Sequence, residues 1–591
     1  MKLETLKNLV VGLLAVIGTL VLVAGLVIAG CFLGAKRPVP AKVILEANFE
    51  NGLVEYIPDD PVAKIVSGRA PTVLGVVEAL ERASTDDRVV GLIARVGEAG
   101  LSLAQIQEIR DAIIAFRSKG KPAVAYAETF GEGGRGNGSY YLATAFDEIC
   151  LQPSGDVGLA GLIAERSFIR GTLDKLGFTP RMDHRSEYKN AMNVLTEKKF
   201  TEPHREATTK LMESVFGQIV KGIAAARKMS ESEVRALVDR GPFLGDEALQ
   251  AKLVDKLVYR DDAYEEIKKK AGKDAKFLYL SKYGERAGSL YDKGVTVALI
   301  YGVGGVNRGK SGYDPLFQDV TMGADTVAAA FRAAVDDKKV KAILFRIDSP
   351  GGSYVASDTI WRETVRAKKA GKPIIVSMSS VAGSGGYFVA MAADKIVAQP
   401  ATLTGSIGVF AGKMLSTNFW DKLGVTWDEV HTSSNAMVFT GLQDYTPEQW
   451  ARFEGWLDRI YDDFTTKVAE GRKLPKEKVL EIAKGRVWTG EDAKGLGLVD
   501  ELGGFPVAMR LVREAAGLSA DAKIHLKQFP VKKSPLERLL SEGPDNSQKA
   551  SEEVIARSLE VIQPLARVAR KLSLAMDSDT LRMPELGMGQ P

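Results

Sequence analysis

Cysteine is nearly absent from this chain: 591 residues contain only Cys31 and Cys150. That excludes a disulfide-stapled scaffold and a Cys-rich zinc site. Histidine is almost as scarce, with His184, His204, His431 and His525 the full set and no HExxH pattern. A zinc hydrolase is therefore a poor fit, and a Ser-His-Asp triad has few candidate bases. There is no GxxxxGK[ST] stretch to cradle a nucleotide. Excess charge is also lacking. Lys plus Arg total 79 against 75 Asp plus Glu, which gives no reason to expect nucleic acid as a partner. With 45% hydrophobic and 26% charged residues the chain reads as globular, and it is too long for a single core.

Long apolar runs are missing too, with one exception. Leu9–Leu33 is 25 residues without a charge. At about 1.5 Å per residue it can cross a hydrocarbon core of roughly 30 Å. Lys2 and Lys7 precede it; Lys36 and Arg37 follow it. Positive residues on both sides do not fix the orientation; the short tail (1–8) ahead of a large body leads to the expectation of a transmembrane signal-anchor (9–33) with the body exported. Ile28-Ala29-Gly30-Cys31 also resembles a lipoprotein cleavage box, which leaves lipidation of Cys31 open.

The rest of the chain reads as a duplication. Gly383–Gly405 (GSGGYFVAMAADKIVAQPATLTG) and Gly136–Gly158 (GNGSYYLATAFDEICLQPSGDVG) align without a gap at an offset of 247, with ten of 23 positions identical. Ile343–Ile347 likewise sits opposite Leu92–Val96, and Gly490–Ala493 opposite Gly245–Ala248. Two α/β units of about 245 residues follow, over 42–285 and 294–530, with the polar stretch from Lys268 to Lys293 suiting a linker. In the second unit the pattern predicts strands at Val340–Asp348, Pro373–Met378 and Lys395–Ala398. Turns are expected at Ser349–Gly352 and Ser379–Gly383, and helices over Ser353–Ala370, Ser384–Ala393 and Tyr445–Glu481. This alternation implies a mainly parallel sheet. An extension over 535–591 is expected to be partly helical and partly disordered.

Differences between the halves locate the chemistry. Ser384 stands opposite Asn137, Gly352 opposite Leu101 (SPGGS against EAGLS), and Ser406 opposite Leu159. Lys189, in SEYKNAM, has no lysine opposite it in SSNAM at 433–437. A serine hydroxyl needs an adjacent base. With histidine scarce a lysine can serve, provided burial lowers its pKa enough to leave it neutral. Ser384 follows a strand and a Gly-containing turn and opens a helix, a position that exposes Oγ beside backbone N–H groups. The Gly351-Gly352 turn can present a second donor, and two donors make an oxyanion hole. Taken singly, each has a plainer reading: a serine in a Gly-rich turn commonly caps a helix, SPGG is a common turn, and most lysines are surface residues.

The segments RIDSPGGS (346–353), GSGGYFVAMAADKIVAQPATLTGSIG (383–408) and SEYKNAM (186–192) together resemble the SppA family of signal peptide peptidases, in its long, duplicated, membrane-anchored form. SPGG alone is shared with the Clp protease and crotonase superfamily. The resemblance implies two tandem ClpP/crotonase-like α/β domains and a serine endopeptidase without metal or other cofactor. Ser384 would be its nucleophile and Lys189 its general base. Ser406 would orient the lysine amine, and the N–H groups of Gly352 and Gly385 would form the oxyanion hole. It further implies a single-pass inner-membrane protein, a homo-oligomer and specifically a tetramer, whose periplasmic body degrades cleaved signal peptides and other short hydrophobic peptides. An acyl-CoA enzyme of crotonase type and a catalytically inert membrane scaffold are the alternatives; a serine-reactive probe separates them.

Overall fold

The structure, a computed structural model, describes residues 38–531 apart from 61–62, 64–69, 98–99 and 315–318. The expected membrane run 9–33, Cys31 and the extension 535–591 lie outside the described residues. No helix among the described residues is long and apolar enough to cross a membrane.

In the first half, β1 (Val43–Asn48), β2 (Val89–Arg95), β3 (Ala123–Ala127) and β4 (Glu148–Leu151) form a parallel sheet. Strand β5 (Thr179–His184) leaves it, and β6 (Lys256–Leu257) and β7 (Lys276–Tyr279) complete it in the order β6-β4-β3-β2-β1-β7. The strands are runs such as VVGLIAR and AVAYA, buried on both faces, as parallel strands between helix layers must be. Helix α1 (Val73–Thr85) starts where Thr72 Oγ1 accepts the Gly75 N–H. Helix α2 (Leu103–Arg117) starts at a Ser102/Gln105 capping box. Helices α3 (Asn137–Ala143), α4 (Arg170–Leu176), α5 (Glu202–Arg227), α6 (Arg260–Ala271) and α7 (Leu280–Ala287) follow.

The expected linker is a correction. Lys268–Lys270 is the solvated end of α6, whose other face buries Ala263 and Ile267, and β7 and α7 close the first sheet with Leu280 and Tyr283 buried. The lysine run reflects a helix surface, not an open chain.

The second half repeats the order. Strands β8 (Val295–Val303), β9 (Gly305–Asn307), β10 (Val340–Ser349), β11 (Ile374–Gly383), β12 (Lys395–Ala398), β13 (Leu403–Gly405), β14 (Phe410–Leu415), β15 (Val487–Thr489), β16 (Glu501–Leu502) and β17 (Ile524–Phe529) include the path β16-β12-β11-β10-β8-β17, which matches the first sheet strand for strand. Helices α8 (Tyr354–Lys369), α9 (Gly385–Phe388), α10 (Thr417–Lys422), α11 (Pro447–Arg472) and α12 (Phe505–Ala515) complete it. Helices α5 and α11 both span 26 residues, both begin at a threonine cap, and both end on a lysine in the left-handed region, Lys228 and Lys473.

Two local expectations fail. Ser379–Gly383 is not a turn: it continues β11, and Val381–Gly383 pair with β13, because this stretch of mostly small residues has a strand on either side. The reversal falls on Ser384 alone, and the helix behind it is only Gly385–Phe388, shorter than the expected 384–393. In α11, Ile460 and Phe464 are buried but Trp456 is exposed; Leu457 takes the inward place.

The halves share one core, in which side chains of α1 and α2 pack with Val297, Leu299, Ala342, Leu344 and α12. A buried ion cluster fixes their registration. Arg346 of β10 donates from Nε to Glu55 (2.6 Å) and from Nη2 to Glu108 (2.7 Å), both in the first half. Its Nη1 reaches Ser377 Oγ at 2.7 Å. Ser379 Oγ donates to Glu55 and the Phe505 N–H to Glu108, so each carboxylate has more than one donor, as burial of charge requires.

Candidate active site

The C-terminal ends of β10 and β11 carry the candidate residues, as open α/β sheets commonly arrange. Asp348 sits where the β10–β11 register slips and accepts the Val381 N–H at 2.9 Å, tying the two strand ends together. Burial, reinforced by the nearby Glu55 carboxylate, pushes its pKa up.

Beyond β10 the loop 350–353 doubles back along β9. The Val306 N–H donates to Gly351 O and the Ser353 N–H to Val306 O, each at 2.8 Å. In such a parallel bridge the intervening residue turns its own N–H away, so the Gly352 N–H faces the Gly385 side. Glycine is needed at both positions. A Cβ on Gly352 (φ +155°) would lie 2.2 Å from Val306 O, and one on Gly351 (φ +101°) 2.6 Å from the Gly385 nitrogen. The Gly385 N–H is the first donor of α9 and lies on the same side.

Ser384, between β11 and α9, has φ 52° and ψ −119°, a conformation that non-glycine residues rarely hold and that costs roughly 1–3 kcal/mol. Its N–H donates to Gly405 O at 2.8 Å. Ser406, also at positive φ (50°), is anchored by its N–H to Arg486 O at 2.7 Å.

Lys189 arrives from the other half. Strand β5 pairs antiparallel with β14 of the second half, in register from Thr179 opposite Leu415 to His184 opposite Phe410. The following loop stays on the second half: the Arg185 N–H donates to Val409 O (2.9 Å) and the Tyr188 N–H to Lys484 O (3.1 Å). Gly485 (φ +74°) lies under the lysine backbone, and a Cβ there would meet Lys189 Cβ at 2.6 Å and its Cα and N at 2.7 Å. Gly408 flanks the aliphatic stem.

The Lys189 Nζ ends 3.1 Å from Ser384 Oγ, 3.0 Å from Ser406 Oγ and 2.9 Å from Ser406 O. No carboxylate faces it, and complete burial lowers its pKa to about 7. The amine is thus about half neutral at pH 7 and largely neutral above it, and its neutral form can accept the Ser384 hydroxyl proton. Burial has a cost. An ordinary lysine titrates near 10.5, so between pH 7 and 10.5 the unfolded chain holds a proton that the folded chain has released. Stability therefore rises with pH across that window. Lys189→Met is expected to raise the melting temperature most below pH 7 and to lose that advantage above about 10.5, as a calorimetric series would show.

The fold thus brings Ser384, Lys189, Ser406, Gly352 and Gly385 to one point. The sequence reading missed Gly485, which stands opposite Arg240 in the repeat and shows the same one-sided pattern that singled out Ser384. The equivalent point in the first half has Leu101 and Leu159 buried, and Asn137 donating from Nδ2 to Gly161 O at 2.7 Å. Lys189 is committed elsewhere, so Asn137→Ser is expected to create no second reactive serine. Probe labelling at residue 137 in that variant would contradict this. Among the described residues the one thiol–carboxylate cluster, Glu148, Cys150 and Glu266, has both carboxylates already occupied by Lys256, with Lys270 also on Glu148.

The chain as a whole resembles known proteins over most of its length. The sequence matches Peptidase family S49 twice, over residues 115–274 and 366–519. It is 31% identical over 474 residues to the chloroplastic serine protease SPPA of Arabidopsis thaliana, covering 78% of this chain and 68% of that one. It is 31% identical over 518 residues to Protease 4 of Salmonella typhi (86% and 81% covered) and 30% identical over 524 residues to Protease 4 of Haemophilus influenzae (84% and 82%).

Proposed function

This chain belongs to peptidase family S49 as a serine protease of the SppA type, and we propose that it works through a Ser384–Lys189 dyad on signal peptides and other short hydrophobic chains at a membrane surface. The observation that carries the dyad is the fully buried Lys189 amine, 3.1 Å from Ser384 Oγ, with a pKa of about 7 and no carboxylate to hold its charge.

In this mechanism Ser384 Oγ attacks the scissile carbonyl while its proton passes to Lys189 Nζ. The Gly352 and Gly385 N–H groups receive the oxyanion, each worth roughly 2.7–4 kcal/mol by analogy with measured donors. The ammonium then gives its proton to the departing amine, leaving an acyl-serine. Water attacks the ester with Lys189 again as base, and the proton returns to Ser384 as the acid leaves. Ser406 keeps Nζ aimed at Ser384 through its hydroxyl and carbonyl. The dyad's two members come from one chain but different halves, so the β5–β14 pairing is a precondition for activity.

Anchoring follows from the uncharged run 9–33, which would hold the body on the periplasmic side of the inner membrane as a homo-oligomer, by resemblance a tetramer. Substrates would then be apolar peptides left in or near the bilayer. Without a nucleotide motif there is no device to unfold stable proteins. A digest of a synthetic signal peptide beside a tightly folded protein, with and without EDTA and ATP, tests this reading. Cleavage of the peptide alone, after Leu, Ala or Val, and indifferent to both additives, is expected. Loss of activity in EDTA, or ready cutting of the folded protein, would contradict it.

A further inference from the structure

Lys484, Gly485 and Arg486 lead into β15 and support the dyad from one side. Lys484 O accepts the Tyr188 N–H, Gly485 lies under the Lys189 backbone, and Arg486 O accepts the Ser406 N–H. The pairing of β13 with β15 sets the last of these bonds, since Gly405 stands opposite Val487. One short stretch of backbone thus holds both the residue before the general base and the residue that orients its amine.

The Arg486 side chain ties the same parts together from another direction. Its guanidinium carbon lies 4.7 Å from the centre of the Tyr188 ring and 4.6 Å from that of Trp488. Tyr188 is the neighbour of Lys189, and Trp488 lies in β15 opposite Thr404. Nη2 donates to Glu206 Oε1 of α5 at 2.9 Å. The arginine side chain is only 14% exposed, so water screens these contacts little. An arginine suits the place because its plane can lie against aromatic faces while its edge meets a carboxylate, which a lysine ammonium cannot match. Other charges of the lysine loop are engaged elsewhere: Glu187 with Lys484 at 3.1 Å and Arg185 with Asp183 at 2.6 Å, while His184 Nδ1 lies 2.8 Å from Ser186 O.

The group is also one-sided. At the offset of 245 that aligns Gly490 with Gly245 and Thr446 with Thr201, Arg486 stands opposite Gly241 and Glu206 opposite Ala451. In the alignment of SEYKNAM with SSNAM, Tyr188 stands opposite Ser433. A side chain at 241 has no room, because a Cβ there would lie 2.0 Å from the carbonyl oxygen of Leu159, the counterpart of Ser406. The half without the reactive serine is thus also without the arginine, its carboxylate and the tyrosine ring.

We infer that Arg486 is a positioning residue: by clamping Tyr188 against β15 and α5 it fixes the Lys189 amine between Ser384 and Ser406, and so sets how readily the serine is activated. The halves are already joined by their shared core and by the Arg346 cluster, so the fold does not depend on this clamp. The inference rests on the Ser384–Lys189 reading and adds to it a residue that touches neither substrate nor the reacting atoms.

Peptide hydrolysis and the pH dependence of fluorophosphonate labelling at Ser384, both on the full-length protein in detergent, test it. Arg486→Gln is expected to lower kcat roughly tenfold to a hundredfold at unchanged KM, as a displaced catalytic group does. Its labelling midpoint is expected to move to higher pH, because a loosely held amine is better hydrated. Arg486→Lys restores the charge without the plane and is expected to resemble Arg486→Gln. Tyr188→Leu is expected to reproduce the loss, and Tyr188→Phe, which keeps the ring, to restore rate and midpoint. Should Arg486→Gln fail to fold by circular dichroism, Tyr188→Leu and Glu206→Ala, which leave the arginine in place, are expected to show the same slower kcat and raised midpoint. Folded variants that melt earlier but keep the wild-type kcat and midpoint would make the clamp a structural staple and overturn the proposal. Recovery of both in Arg486→Lys would assign the effect to charge rather than position and equally overturn it, as would a change confined to KM. A wild-type protein with no labelling midpoint near pH 7 would overturn the dyad itself, and this inference with it.

Discussion

Ser384→Ala and Lys189→Ala are each expected to lower kcat/KM for peptide hydrolysis by roughly ten-thousand-fold or more, and the double variant to be no worse than either. The two groups act as one unit: without the amine the hydroxyl proton has nowhere to go, and without the hydroxyl the amine has nothing to deprotonate. Neither change should unfold the protein. Ser384→Ala removes an oxygen in a buried site, and Lys189→Ala removes a buried amine whose desolvation was already unfavourable. Steady-state kinetics on the three variants, with melting curves to confirm folding, gives the result. Turnover in Lys189→Ala within tenfold of wild type would remove the lysine from the mechanism.

Gly485→Ala is expected to lower kcat roughly a hundredfold while touching no substrate, since displacing a catalytic group by about 1 Å has that effect. The added methyl would lie 2.6 Å from Lys189 Cβ, so the lysine backbone must move. Gly485 also has positive φ, and a mere loss of backbone freedom would be milder with asparagine, which tolerates that region. Gly485→Asn keeps the collision and is therefore expected to lose as much as alanine. Because the lysine is displaced into a less protected position, its pKa rises and the alkaline shift of the pH profile accompanies the loss. An unchanged pH profile with a raised KM alone would show that Gly485 acts through substrate binding instead.

How far the sequence discloses this molecule depends on what each segment does. The duplication is legible because both halves must bury parallel strands against helices, so the same apolar runs and cap residues recur, as at Thr201 and Thr446. Ser384, Lys189 and Ser406 stand out because each is unmatched in the other half, and the fold brings both serine hydroxyls within 3.1 Å of the lysine amine. What composition could not disclose is long-range. No local pattern reveals that β5 crosses to β14, because antiparallel pairing across more than two hundred residues is fixed by the packing of whole halves. Nor does it reveal the Arg346–Glu55–Glu108 cluster, whose members look like ordinary surface charges. The misread stretches have physical reasons too. Ser379–Gly383 reads as a turn by composition, yet small residues are what a strand flanked closely on both sides requires. Lys268–Lys293 reads as a linker because its charged face dominates the count, while Leu280 and Tyr283 do the burying.

The central claim is that a buried, neutral Lys189 activates Ser384. It is tested most directly by the rate at which a fluorophosphonate probe labels Ser384 as pH is raised from about 5 to about 9. In the wild-type protein the rate is predicted to climb with a midpoint near pH 7, where the amine loses its proton, and then to level off. In Lys189→Ala it should stay at a low, featureless baseline throughout. A wild-type rate that does not change across this range, or a Lys189→Ala protein that labels as fast as wild type, would contradict the claim.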